Sequence, residues 1–333
     1  MARVDQHLGT LRGVQRRPAY RLSRSPERHC GGDDGRPRSG GRSPLPLALP
    51  GGGQRTDRMI DVHTHCMLAE HWGCEFEEHW RPVYGKGWPD VRPDDYDRAM
   101  RPVRTAFVFG IRATAAGVAT PNEYVARFCE DTRTDTVGFM ALDPADPDLL
   151  EQMADGIRRG LRGIKLYPVL SHSDPRDPAH DPFYEAAEQA GLIVLWHMGA
   201  TPSPVGDLEM SSPLILDAVA RRHPGLTQII AHLGHPWQRE TLILLRKHRR
   251  VFADVSANWA RPLDGFLALA RAQEWGVTGK LLFGSDYPLW TPDQAVEGLR
   301  ALVDIRIPGH PGVSKTTVEQ LLDTDTRELL GVT

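Results

Sequence analysis

Four cysteines, Cys30, Cys66, Cys74 and Cys129, with no C-x-x-C pair among them, are too few to staple a chain of 333 residues. A disulfide scaffold is therefore excluded, and reduced thiols are expected. Cys66 follows His65 directly and is read first as an ordinary neighbour, a soft extra metal ligand being the other reading. No apolar run approaches the roughly 20 residues that a bilayer requires, and the N-terminus has no uninterrupted apolar stretch of the kind a secretory signal needs. The expectation is a cytoplasmic protein with no membrane partner. Lysine is scarce, five in all. No G-x-G-x-x-G follows the first apolar run, which removes the signature of a dinucleotide-binding sheet.

The net charge of -3 conceals an asymmetry. Residues 1–58 carry 12 Arg, no Lys and 5 acidic side chains, leaving the remainder at -10. These arginines alternate with Gly, Pro and Ser, with neither aromatic interleaving nor an amphipathic period, so no nucleic-acid partner is expected. The segment is expected to be a disordered extension. Met59, immediately before the first apolar run, is a candidate start of translation that would place residues 1–58 outside the protein.

With 40% hydrophobic and 25% charged residues, the chain can bury one large core, and a single barrel of about 250 residues would use most of residues 59–333. From Met59 onward one unit repeats: a short β-branched or apolar run, a punctuated loop, then helical spacing. The expected strands are 59–64, 105–111, 136–141, 162–167, 192–197, 227–232, 251–255 and 281–285. Expected helices run over 122–132, 147–159, 182–190, 212–222, 239–247 and 263–275. Eight strands alternating with helices point to an α/β fold, a (β/α)8 TIM barrel, with its chemistry on the loops after the strands. An open doubly wound sheet would alternate in the same way. The end of the first strand decides between them.

That strand ends Asp61-Val62-His63-Thr64-His65. Strict alternation sends Asp61, His63 and His65 inward and Val62 and Thr64 out toward helices. Two imidazoles on one strand end can share a cation. Strand four ends on Lys165, strand five on His197, strand six on His232, and strand eight on Ser285-Asp286. A Lys among apolar neighbours is costly unless it is paired or chemically changed. Taken singly, His197 and His232 could each be a hydrogen-bonded core histidine or a ligand, and Asp286 a helix cap; the ordered set is what points to a metal site.

H-x-H on strand one, Lys on four, His on five, His on six and Asp on eight resemble the amidohydrolase superfamily over residues 59 to about 305. The wording Asp61-Val62-His63-Thr64-His65, Gly163-Ile164-Lys165-Leu166-Tyr167-Pro168, Ala231-His232-Leu233-Gly234 and Gly284-Ser285-Asp286-Tyr287-Pro288 is similar to the amidohydrolase-related branch. That branch includes aminocarboxymuconate-semialdehyde decarboxylase, aromatic-acid decarboxylases and lactonases. The resemblance implies that His63, His65, His197 and Asp286 bind a divalent metal, most often zinc, with His232 as acid/base. In members with two ions, a carboxylated lysine bridges them and the strand-six histidine becomes a ligand, roles that fall here on Lys165 and His232. One ion or two are both compatible with the sequence, and the resemblance implies a homodimer.

A catalytic zinc brings its bound water to a pKa near about 7. Asp286 is suited to pass that water's proton to a leaving group, and His232 to polarise or protonate the substrate oxygen. The expected activity is hydrolysis of a C–N or C–O ester-type bond, such as an amide or lactone, in a small carboxylated substrate. The alternative is nonoxidative decarboxylation of an aromatic or muconate-type acid on the same metal. Trp72, Trp80, Trp88, Trp237, Trp259 and Trp290 fall in loops on the catalytic face, where Trp259 and Trp290 are candidate substrate contacts and loop packing is the other reading. Residues 66–104 form a long insert suited to a lid. Arg112, just past strand two, is a candidate to hold a substrate carboxylate or to form a rim salt bridge.

Overall fold

The computed structural model describes residues 59–85 and 87–332. The Arg-rich extension, residues 1–58, and Cys30 within it lie outside the described residues. Eight parallel strands follow in chain order around one sheet: β1 Ile60–His65, β2 Thr105–Phe109, β3 Asp135–Ala141, β4 Gly163–Leu166, β5 Ile193–Trp196, β6 Thr227–Ile230, β7 Val251–Asp254 and β8 Leu281–Leu282. Val62 N donates to Phe283 O and Asp286 N to His63 O, both at 2.9 Å, so the last strand closes on the first. This is the expected (β/α)8 TIM barrel.

Alternation separates two apolar layers. Phe107, Phe139, Leu195, Ile229, Phe252 and Leu282 fill the barrel, and Leu330 near the C-terminus packs into the same cluster. Val108, Met140, Ile164, Val194, Ala253 and Phe283 face the helices in a second, larger cluster. The helices observed at Asn122–Asp131, Leu149–Arg158, Asp181–Gln189, Gln238–Lys247 and Pro262–Glu274 lie within two residues of their expected bounds, while the fourth expected helix is a 3-10 turn, Pro213–Ile215, running into Leu216–Arg222.

One expectation fails on β1. The pairing with β2 is irregular between Asp61 and Thr64, a local break in the pleat. Val62 therefore packs in the barrel interior and not against the helices, while Thr64 still faces out, its hydroxyl 2.7 Å from Tyr96 Oη. Asp61 is fully buried and accepts from His63 N and Ser285 N, both at 3.0 Å, tying the irregular stretch to the end of β8. Burial pushes its carboxyl up to about 7, against the pull of those hydrogen bonds and of His63.

The insert after β1 is structured. A 3-10 turn, Ala69–Trp72, and the helices Cys74–Tyr84 and Pro93–Ala99 occupy it. Trp72, Phe76, Trp80 and Trp88 join Ile111 and Tyr167 in a separate apolar cluster over the strand ends. Cys66 is buried in the outer core, its thiol pushed well up by burial, and neither it nor Cys129 forms a disulfide. Among the described residues, no helix is long and apolar enough to cross a membrane.

Candidate active site

At the carboxyl ends of the strands, His63 Nε2 lies 3.3 Å and His65 Nε2 3.4 Å from the same atom, Asp286 Oδ1. Asp286 reaches this position by a left-handed backbone (φ 65°) just beyond β8. A non-glycine residue in that region is strained, and such strain concentrates at functional sites. His232, two residues beyond β6, is strained likewise (φ 57°). Gly284 permits the approach of β8 to β1, since a Cβ there would stand 2.8 Å from His63 Cβ.

Behind these side chains lies a carboxylate that the sequence reading missed. Asp254, the last residue of β7, is fully buried and accepts from His63 Nδ1 at 2.9 Å. Its other oxygen accepts from His232 N and Ser256 N, each at 3.0 Å, and from Ser256 Oγ. Burial alone would raise its pKa, but His63, His232 and these hydrogen bonds hold it well below the usual carboxylate range. The strand-end rule that marks the other candidates marks Asp254 equally.

The network fixes two tautomers. Asp254 accepts the Nδ1 hydrogen of His63, so in the neutral ring Nε2 carries the lone pair, toward Asp286. Ser256 Oγ gives its single hydrogen to Asp254, so it receives one from His232 Nδ1 at 2.8 Å. His232 Nε2 is then an acceptor. Burial and the neighbouring His63 lower the pKa of His232 to about 3, so the ring stays neutral at neutral pH. In this neutral form the His232 ring can serve as a base or a ligand.

His65 is held near 4, by burial first. His197 is pushed well below its ordinary value by burial and by His232, whose ring centroid is 5.0 Å away. Asp286 is held below the carboxylate range: burial would raise it, and its hydrogen bond with His65 and the attraction of the histidines in their protonated forms outweigh that. Neutral imidazoles around one ionised carboxylate form an N/O donor set suited to a divalent cation. Two groups of side chains have ligand atoms all within 4.8 Å of one another, His63–His65–Asp286 and His63–His232–Asp254. His197 belongs to neither; it stacks on Tyr167 at 3.8 Å, and its buried Nε2 has no hydrogen-bond partner among the described residues.

Lys165 is also buried without a hydrogen-bond partner among the described residues, its Nζ 4.7 Å from the centre of the Phe109 ring. Burial lowers its pKa to about 7 despite the attraction of Asp254 and Asp286. Phe109 in turn meets His63 and His65 edge-on at 5.1 and 4.7 Å.

A cleft opens above His65, His197, His232 and Asp286. Trp72, Trp80 and Trp88 wall it from the β1 insert and Trp290 from the loop after β8, with Trp88 edge-on to His65 at 5.5 Å. Two expected substrate contacts are placed elsewhere. Arg112 is ion-paired with Asp146 and does not line the cleft, which is the rim salt bridge and not the carboxylate clamp. Trp259 packs behind Trp290 at 5.3 Å and against the position of Gly298, so only Trp290 of that pair reaches the cleft. The cleft also contains His235 and Arg261, neither of which the sequence reading singled out.

The amidohydrolase family model matches residues 60–332. No curated protein matches the sequence. Among solved structures, the chain is similar to a probable 2-pyrone-4,6-dicarboxylic acid hydrolase from Acinetobacter baumannii (16% identity, TM-score 0.61, 82% of this chain and 99% of that one). It is also similar to an amidohydrolase from Burkholderia multivorans with bound zinc (16%, 0.60, 83% and 100%). A third is the 2,6-dihydroxybenzoate decarboxylase from Rhizobium (16%, 0.56, 83% and 99%). At such identities the structural likeness establishes the barrel, and the family rests on the match over nearly all described residues: the chain belongs to the amidohydrolase family.

Proposed function

We propose that the cleft is the active site of a metal-dependent hydrolase acting on a C–N or C–O ester-type bond of a small carboxylated substrate. The observation that carries this reading is the convergence of His63 Nε2 and His65 Nε2 on Asp286 Oδ1, with the tautomer of His63 set by Asp254. His63, His65 and Asp286 would hold the metal, with zinc the best fit to this donor set, and the unpartnered Nε2 of His197 supports it as a fourth ligand. Lys165, buried and with its amine lowered to about 7, can become a ligand by carboxylation, and His232 Nε2 can join it if two ions are held. When bound, the metal polarises the scissile group and acidifies water.

The side chains then divide the proton transfers. Asp286 takes a proton from the attacking water and returns it to the departing nitrogen or oxygen. His232 enters with its Nε2 as an acceptor and orients that water or takes the proton in its turn. The tryptophan wall limits access of bulk water to the bond being cut.

Metal content by plasma mass spectrometry, on protein purified without chelator, tests the reading. About two equivalents in wild type, falling to one or none in Lys165→Ala, would establish a bridged pair, and about one equivalent lost only in His63→Ala would establish a single ion. No metal would overturn it. Asp286→Asn should keep less than about a tenth of turnover on carboxylated lactones and amides. Release of carbon dioxide without hydrolysis would replace hydrolase by decarboxylase on the same site.

A further inference from the structure

Among the described residues lining the cleft, Arg261 is the one Lys or Arg side chain. It forms no ion pair among the described residues; its guanidinium makes a single long hydrogen bond, 3.4 Å, to Ala257 O. An arginine that lines a mostly apolar cleft, is itself exposed and has no carboxylate partner among the described residues has most of its five donors open to a ligand. His235 lines the same cleft, and a chain of hydrogen bonds determines which of its ring nitrogens carries the proton.

That chain starts from backbone carbonyls, which can only accept. Asn258 Nδ2 donates to His232 O at 2.7 Å and to Ser256 O at 3.2 Å. The orientation of the Asn258 amide is thereby fixed, and its Oδ1 faces Gln238. Gln238 Nε2 donates one hydrogen to Asn258 Oδ1 at 3.3 Å and is left with the other for His235 Nδ1 at 3.0 Å. Reversing either amide would set oxygen against oxygen. His235 Nδ1 is therefore an acceptor, and in the neutral ring the proton sits on Nε2. That N–H has no partner among the described residues. Asp264, 3.8 Å away, lies on the Nδ1 side of the ring.

We infer that Arg261 and His235 form an anion-binding corner of the cleft that holds a carboxylate of the substrate, the guanidinium supplying the charge and His235 Nε2–H a directed hydrogen bond. Arg261 and His235 Nε2 present donors to the cleft, and Asp264 stands on the opposite, Nδ1 side of His235. Apart from the histidines and Asp286 beneath it, the cleft is walled mostly by tryptophan, tyrosine and aliphatic side chains, so the ligand class is a small, flat carboxylic acid. This rests on the cleft being the substrate site, but not on any metal. Arg261 takes the role that Arg112, paired with Asp146, does not fill.

Benzoate and benzamide, which share a shape and differ in charge, are the probes. Each is titrated into full-length wild type, Arg261→Gln, His235→Phe and His235→Gln, and quenching of the cleft tryptophans is followed. Wild type should bind benzoate about tenfold or more tightly than benzamide, as a charge-assisted bidentate contact implies. Arg261→Gln should abolish that preference and leave benzamide affinity unchanged. His235→Phe should reduce it several-fold, and His235→Gln, whose side-chain amide can reach the place of Nε2–H, should restore most of it, which a merely structural histidine would not show. Equal affinities in wild type, no measurable benzoate binding, or a preference that survives Arg261→Gln would each overturn the inference. Metal content is read on the same samples. A metal-free protein whose benzoate preference depends on Arg261 would defeat the hydrolase reading and leave this corner standing.

Discussion

Asp254 does not line the cleft, yet it accepts four hydrogen bonds and sets the ring of His63. In Asp254→Asn the single oxygen would be retained by the three donors from Ser256 and His232, turning an NH2 toward His63 Nδ1. His63 would then move its proton to Nε2 and lose its lone pair toward Asp286. The expected loss is about 10- to 100-fold in metal affinity with the fold intact, measured by chelator competition. Wild-type affinity in the variant would show that Asp254 is only a packing group. Lys165 makes a different prediction. Its pKa falls from 10.5 in the unfolded chain to about 7 in the fold, so between those values the unfolded state binds the extra proton. Stability of chelator-treated protein should therefore rise with pH from about 7 toward 10.5. Lys165→Met should remove that slope and stabilise the apoprotein at neutral pH by on the order of 1–4 kcal/mol in denaturant melts, as replacing a buried charge by a matching apolar group often does.

The strands were legible from sequence because each is a short apolar run whose alternate residues pack on two different layers, and seven of the eight carry that pattern over four or more residues. β8 is the exception: only Leu281–Leu282 are strand, because the chain breaks from the ladder to deliver Asp286. The irregularity in β1 could not be read, since Val62 and His63 both face inward only after Asp61 has tied β1 to β8, a contact 224 residues apart. Arg112 and Trp259 lie off the cleft for a similar reason, as loop side chains are placed by tertiary partners, here Asp146 and Gly298. Glycines at two depths test how the strands share the work. In Gly284→Ala the new methyl would meet His63 Cβ at 2.8 Å and Ser256 Cβ at 3.3 Å, so both stability and metal content should fall. In Gly163→Ala it would meet the Phe139 ring at 2.3 Å in the filled interior, which should cost about 1–3 kcal/mol and leave metal stoichiometry unchanged. Equal metal loss in both would argue that the strand ends do not act as a separate layer.

At the scale of the whole barrel, chemistry and stability lie at opposite ends. The strand carboxyl ends hold neutral buried imidazoles, strained Asp286 and His232, and unpartnered polar atoms, features that cost folding energy and are tolerated where they serve a ligand. Among the described residues no left-handed non-glycine residue lies at the amino ends, although Gln228 Nε2 near the start of β6 is a buried polar atom without a hydrogen-bond partner. There Leu330, 5% exposed, packs into the interior cluster, and Arg104–Asp325 (2.8 Å) and Arg327–Asp135 (3.0 Å) fasten the C-terminal segment to β2 and β3. Leu330→Ala should thus cost about 2–5 kcal/mol, the range for a truncated core leucine, while metal content and turnover of the folded fraction stay at wild-type values. Asp286→Asn should do the reverse, removing turnover with little loss in the melt. Sites so far apart with no shared partner should be additive within about 0.5 kcal/mol in the double variant. A larger coupling would mean that the C-terminal plug acts on the geometry of the active site, and that the interior transmits strain from one end of the barrel to the other.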